Sequence, residues 1–144
     1  MIRLIILHNY PSPYRLPLFQ KLSKIYDLEV WFLQDPKSDE RLWLNSINSN
    51  YTFKYKFIKS KTLNIFSKSF VLNKNLIKKL YNYNYDICIS SDNFPIITSL
   101  FISFFISKLN KKKIIIWSPI YKNENVISKF IVVNFIYKIV YSIY

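Results

Sequence analysis

Three short clusters hold the side chains of this chain best suited to chemistry. They are His8-Asn9-Tyr10-Pro11-Ser12-Pro13-Tyr14-Arg15, Ser90-Ser91-Asp92-Asn93-Phe94-Pro95 and Trp117-Ser118-Pro119. Arg15 offers a planar, permanently charged fork that fits phosphate or carboxylate. A helix beginning beside it would add backbone N–H groups that favour anions. The alternative is a solvated surface arginine next to prolines that merely tighten a turn. Asp92 is either the N-cap of a following helix or a hydroxyl-binding group or base. His8 is either a structural polar residue at a strand end or a catalytic one. Trp117 suits stacking on a sugar ring, or packing in a core.

Other chemistries are excluded. The chain has one His and one Cys, Cys88, so no internal disulfide forms and no zinc-ligand spacing exists. It has no Gly, which removes the P-loop and the G-x-G-x-x-G nucleotide fingerprint. No metal and no bound cofactor are expected.

Gly and Ala are both missing, while Ile, Lys, Asn, Tyr, Phe and Ser dominate. That is the imprint of AT-rich codons, and it discounts the net charge of +13, since 18 of the 21 basic residues are Lys. Nucleic acid is therefore an unlikely partner by charge alone, and an anionic membrane surface stays open. Arg, Pro and Trp survive against the bias, so the groupings of Pro11, Pro13, Arg15 and Pro17 and of Trp117 and Pro119 are informative.

The elements that must position these clusters follow from the apolar runs. The 144 residues suit one domain. Short apolar runs alternate with longer periodic segments, as in βαβ units. Residues 2–8 read as a buried strand and 9–14 as a turn. A helix then runs to about Ile25, with Pro17 in its first turn and Leu18, Phe19, Leu22 and Ile25 on one face. Residues 27–33 form a second strand, 34–50 a loop with Trp43 beneath it, and 51–59 a half-exposed third strand.

Asn73 is placed to cap a helix over 74–82, with Leu76, Ile77 and Leu80 inward. Residues 85–90 and 113–117 give the fourth and fifth strands. The helix between them ends near Leu109, and its uncharged stretch of 14 residues (94–107) is short of the ~20 a membrane span needs. Residues 125–144 read as a helix, apolar nearly all round, with no sixth strand after it. The fold class is α/β: a Rossmann-like parallel sheet with helices on both faces. In such sheets ligands bind at the carboxyl ends of the strands, where all three clusters fall. Lys54, Lys56, Lys59, Lys61, Lys74, Lys78 and Lys79 form a basic stripe expected to meet anionic lipid.

The run Leu7-His8-Asn9-Tyr10-Pro11-Ser12-Pro13-Tyr14-Arg15-Leu16-Pro17-Leu18-Phe19 resembles the opening of glycosyltransferase family 4 enzymes. The likeness continues through Tyr26-Asp27-Leu28, Tyr85-Asp86-Ile87 and Ile115-Ile116-Trp117-Ser118. These enzymes have the GT-B architecture of two Rossmann-like domains, and the resemblance covers residues 1–144 as the N-terminal one only. It implies retaining transfer of a hexose from a nucleotide sugar in polysaccharide, lipopolysaccharide or glycan assembly. This half would hold a glycan or lipid-linked acceptor. Asn9, Tyr14 and Arg15 would approach the donor diphosphate, and Asp92 and Asn93 would line the acceptor pocket. The candidate binding set is thus Asn9, Tyr14, Arg15, Asp92, Asn93, Trp117 and Ser118, with Asp92 and His8 as candidate catalytic groups.

The sequence departs from the family in having no glycine in the first loop. The family's paired glutamates and nucleotide pocket belong to a C-terminal half expected to be absent here or supplied by a separate chain, so this chain alone is expected to be inactive. The expected location is cytoplasmic, peripheral on the inner membrane face. Two other classes are a non-catalytic small-ligand module and a basic peripheral membrane protein.

Overall fold

Strand β1 (Arg3–His8) is apolar in both side-chain directions, which fits a strand covered on both faces. In the computed structural model, which describes residues 1–34, 52–65, 68–91 and 96–117, β1 is the central strand. It pairs in parallel with β2 (Asp27–Phe32) on one side and with β6 (Ile87–Ser91) on the other. Beyond β2 lies β3 (Lys54–Phe57), and beyond β6 lies β7 (Lys113–Trp117), both parallel, giving the order β3-β2-β1-β6-β7. The chain is a Rossmann-like α/β domain.

Helices cover both faces. Helix α1 (Leu16–Ser23) lies against β1 and β2, burying Leu16 and Phe19 with Leu4, Ile6, Leu28, Val30 and Phe32. Helices α2 (Leu76–Asn82) and α3 (Ile97–Leu109) occupy the other face, where Leu76, Leu80 and Ile106 meet Ile5, Leu7, Trp31 and Cys88. Full burial of each such side chain stabilises the fold by roughly 1.5–3 kcal/mol.

Several expectations are corrected. On α1, Leu16 and Phe19 are buried and Leu22 packs against the same cluster, whereas Leu18 and Ile25 are exposed, Ile25 because the helix ends at Ser23. Ile77 points to solvent, since in a helix of two turns only Leu76 and Leu80 share the inner face. Strands β4 (Ser60–Ile65) and β5 (Lys68–Asn73) pair with each other as an antiparallel hairpin. Asn73 therefore ends a strand and caps nothing; the residue before α2 is Asn75, in a left-handed conformation with φ 65°. The readings of 35–50 and of 125–144, with Trp43, lie outside the described residues.

The basic stripe divides. Lys54 pairs with Asp27 at 2.8 Å, and Lys56 pairs with Glu29 at 2.8 Å while sitting 4.0 Å over the Trp31 ring. Burial would raise the Glu29 carboxyl, but hydrogen bonds from Lys56 and from the Tyr83 hydroxyl outweigh it and hold its pKa below the ordinary value. Both lysines thus tie β3 to acidic side chains of β2.

With no glycine available, α3 ends on a lysine. Lys111 takes φ 53°, its N–H bonds the Lys108 carbonyl at 3.1 Å, and the Lys112 N–H bonds the Ser107 carbonyl at 2.7 Å. This is the Schellman pattern that usually carries glycine. The hairpin is held by Asn73, whose Nδ2 donates to the Leu33 carbonyl at 2.5 Å and whose Oδ1 accepts from Ser99 Oγ at 2.7 Å. Asn73→Ala leaves a buried carbonyl and a buried hydroxyl unpaired and is expected to cost roughly 1–3 kcal/mol. The urea midpoint measures this; an unchanged midpoint would show that the hairpin is held otherwise.

Candidate functional site

The last residues of β1 and β6 meet at the carboxyl edge of the sheet. From there the chain turns to β2 through α1 on one face, and from β6 to β7 through α3 on the opposite face. This reversal is a topological switch point, where open α/β sheets bind ligands. His8 closes β1, Ser91 closes β6 and Trp117 closes β7.

The prolines build the loop that follows β1. The Ser12 N–H bonds the Tyr10 carbonyl at 2.8 Å, a tight turn about Pro11, and the Arg15 N–H bonds the Ser12 carbonyl at 2.9 Å, a turn with Pro13 as its second residue. The fixed proline φ suits both turns. They deliver Arg15 to the N-cap of α1, where the Phe19 N–H makes the first helical bond to the Arg15 carbonyl at 3.1 Å. Pro17 lies in the first turn, as the sequence predicts.

Arg15 is not a solvated side chain. Its guanidinium carbon stands 3.9 Å from the Trp117 ring centroid and 5.5 Å from that of Tyr14. A cation over an indole contributes roughly 0.5–2 kcal/mol. The His8 ring is on the other contact of the same tryptophan, 5.9 Å between centroids, and meets Phe19 edge-on at 5.8 Å. Trp117 thus links β7 to the first loop: it packs against the core cluster of β1, β2 and α1, and Arg15 lies over its ring.

Burial, and then the charge of Arg15, push the His8 pKa down to about 3, so the imidazole is neutral near pH 7. Its Nδ1 accepts the Asn9 N–H at 2.9 Å, which puts the ring proton on Nε2. A neutral ring already accepting at one nitrogen is a hydrogen-bond donor at the other, a poor fit to a general base. His8 Nε2 and Arg15 Nε are both buried with no hydrogen-bond partner among the described residues. Two orphaned donors beside one helix N-terminus, with no acidic side chain in its first turn, call for an anion or another strong acceptor.

Of the remaining candidates, Tyr14 is exposed and Asn9 half-buried. Asp92, Asn93 and Ser118 lie outside the described residues. Ser90 is fully buried on the face opposite His8, toward Cys88, and its hydroxyl has no partner. Gln34 escaped the sequence reading. Its N–H bonds the Asn9 carbonyl at 3.3 Å and its buried Oε1 has no partner. The signal was its place just past β2, a fourth strand end. Cys88 is inert, its thiol pushed up to about 12 by burial in mid-sheet. No group of three or more metal-ligating side chains comes together among the described residues.

A cavity of about 280 Å³ lies at the opposite, amino end of the strands, lined by Gln20, Lys24, Asp27, Thr52 and Lys54 among others. Its polar groups answer one another: Gln20 Nε2 donates to Thr52 Oγ1 at 2.9 Å, and Asp27 takes Lys54. It offers a ligand far less than the carboxyl edge does. No family model and no curated protein matches the chain, so the site rests on its own geometry.

The depressed His8 pKa has a consequence for stability. The unfolded state binds the proton between about pH 6.5 and about 3 and the folded state does not. His8's contribution is therefore complete above about 6.5 and is lost as pH falls through that window, by roughly 1.4 kcal/mol per unit. His8→Gln should flatten this slope in urea titrations between pH 6.5 and 4. An identical slope in both proteins would place the His8 pKa near its ordinary value.

Proposed function

We propose that this domain is the acceptor-side half of a retaining glycosyltransferase, and that its carboxyl edge receives the diphosphate of a nucleotide sugar. The observation that carries the reading is the pair of buried donors, His8 Nε2–H and Arg15 Nε–H, set about Trp117 at the switch point. Both are matched to phosphate oxygens: a charged donor for the anion and a neutral one that adds no competing proton. The family resemblance of Leu7–Phe19 supplies the reaction class. It gives the glycan or lipid-linked acceptor its place along the same edge, near Asp92 and Asn93, which follow β6 in sequence.

On this reading the chain binds and orients, and the sugar-nucleotide pocket with its paired glutamates comes from a second domain. Holding two reactants in register is worth several kcal/mol of a transfer barrier. Fixed donors at the leaving diphosphate stabilise charge as it develops there. His8 acts as a positioning donor, and Arg15 holds the charge.

Titration calorimetry with pyrophosphate and with a nucleoside diphosphate hexose tests this. Both are expected to compete for one site. Arg15→Lys should weaken each by about tenfold or more despite keeping the charge, because lysine has neither the Nε–H nor the planar stack. Equal affinity of Arg15→Lys and the parent chain would reduce the site to generic charge attraction and overturn the reading.

A further inference from the structure

The orphaned groups at the carboxyl edge are of two kinds. His8 Nε2–H and Arg15 Nε–H are donors, whereas Gln34 Oε1 is an acceptor, buried and with no hydrogen-bond partner among the described residues. Trp31 Nε1 and Ser90 Oγ are also orphaned, but they belong to side chains wholly enclosed within β2 and β6. Gln34 differs, because it stands past the end of β2 and is only partly buried as a residue. A ligand at the strand ends can reach its amide.

Its place is set by β1. The N–H groups of Leu33 and Gln34 bond the His8 and Asn9 carbonyls at 2.8 and 3.3 Å. In an extended strand successive N–H groups point toward opposite neighbours, so two in a row directed at β1 mean that the chain bends at Gln34 toward the proline loop. Asn9 serves both sides of this junction. Its N–H holds His8 Nδ1 and leaves Nε2 as the donor, while its carbonyl holds Gln34. A donor and an acceptor thus flank one backbone position, and the charged donor of Arg15 comes from the far end of the same loop.

A bare anion answers only half of this set. Ionised phosphate oxygens accept from His8 and Arg15, but an oxygen placed against Oε1 would meet a second acceptor. A hydroxyl donates to Oε1. An amine would donate too, but as an ammonium it would share the edge with the Arg15 guanidinium. The complete set fits a phosphate ester with a hydroxyl close to its phosphate, as sugar phosphates and glycerol phosphates have.

We propose that Gln34 is a specificity-determining residue of this edge, its Oε1 accepting a hydrogen bond from a hydroxyl of a ligand whose phosphate lies on His8 and Arg15. The assignment rests on the anion reading of the same edge and adds which phosphates the edge selects.

Titration calorimetry of the full chain with methyl phosphate, glycerol 3-phosphate and glucose 1-phosphate tests it, with pyrophosphate reporting the anion site alone. The parent chain should bind at least one hydroxylated ester roughly three- to tenfold more tightly than methyl phosphate, the worth of one hydrogen bond. Gln34→Met keeps the length of the side chain and removes the acceptor. It should erase that preference without weakening pyrophosphate, whose binding also shows that the variant folds. Equal affinity of the parent chain for methyl phosphate and both hydroxylated esters would overturn the assignment and leave the anion site standing, as would a preference that survives in Gln34→Met. Loss of pyrophosphate binding in a folded Gln34→Met would make the amide a donor to the anion and overturn it as well. Failure of the parent chain to bind any of the four would remove the anion site and this assignment with it.

Discussion

The handedness of parallel crossovers is the constraint on which the rest depends. A strand, helix and parallel strand in one sheet turn almost only to the right, so helices on opposite faces mean that the chain left the centre in opposite directions. Here α1 carries β1 to β2 on one face and α3 carries β6 to β7 on the other. The carboxyl ends of β1 and β6 are consequently left with no connection passing over them from either helix. Four buried residues, Leu4 to Leu7, fix β1 in the middle of the sheet. With them fixed, His8 stands at the switch point, and the turn about Pro11 and Pro13 swings Arg15 back over Trp117.

The missing glycines shape what the site can do. A glycine loop lets backbone N–H groups reach a diphosphate directly. This chain has a proline-stiffened loop, and on the proposed reading side-chain donors take that place: an imidazole whose proton direction is set by the Asn9 N–H, and a guanidinium over an indole ring. Stiffness limits the entropy lost on binding. The same want of glycine appears structurally at Asn75 and Lys111, where ordinary residues adopt left-handed backbone.

Much of the layout was legible in the sequence. Strands of continuous Ile, Leu and Val, the proline turn and the long apolar helix are written in local patterns, and β1, β2, β6, β7, α1 and α3 appear where those patterns put them. What was hidden is settled over long range. The segment SKTLNI has no run of apolar residues and KSFVLN only the short Phe70-Val71-Leu72, and pairing with each other makes them strands. Asn73 has a cap's chemistry, yet its partners are Leu33 and Ser99, 40 and 26 residues away. Lys54 and Lys56 look like free charge until β3 lies beside β2 and brings Asp27 and Glu29 within diagonal reach. Of the site, His8, Arg15 and Trp117 were nameable from type and place; that one ring serves both others depends on β7 lying next to β6.

The central claim is that two buried donors at the switch point meet one anion. Nitrogen-15 NMR of the His8 Nε2–H and Arg15 Nε–H signals during a pyrophosphate titration tests it most directly. The account predicts that both protons move downfield together and saturate at one concentration, as hydrogen bonds to phosphate oxygen form. If both stay fixed while signals of Lys24, Lys54 or other surface lysines shift, the anion binds elsewhere and the assignment of this edge as the ligand site is wrong.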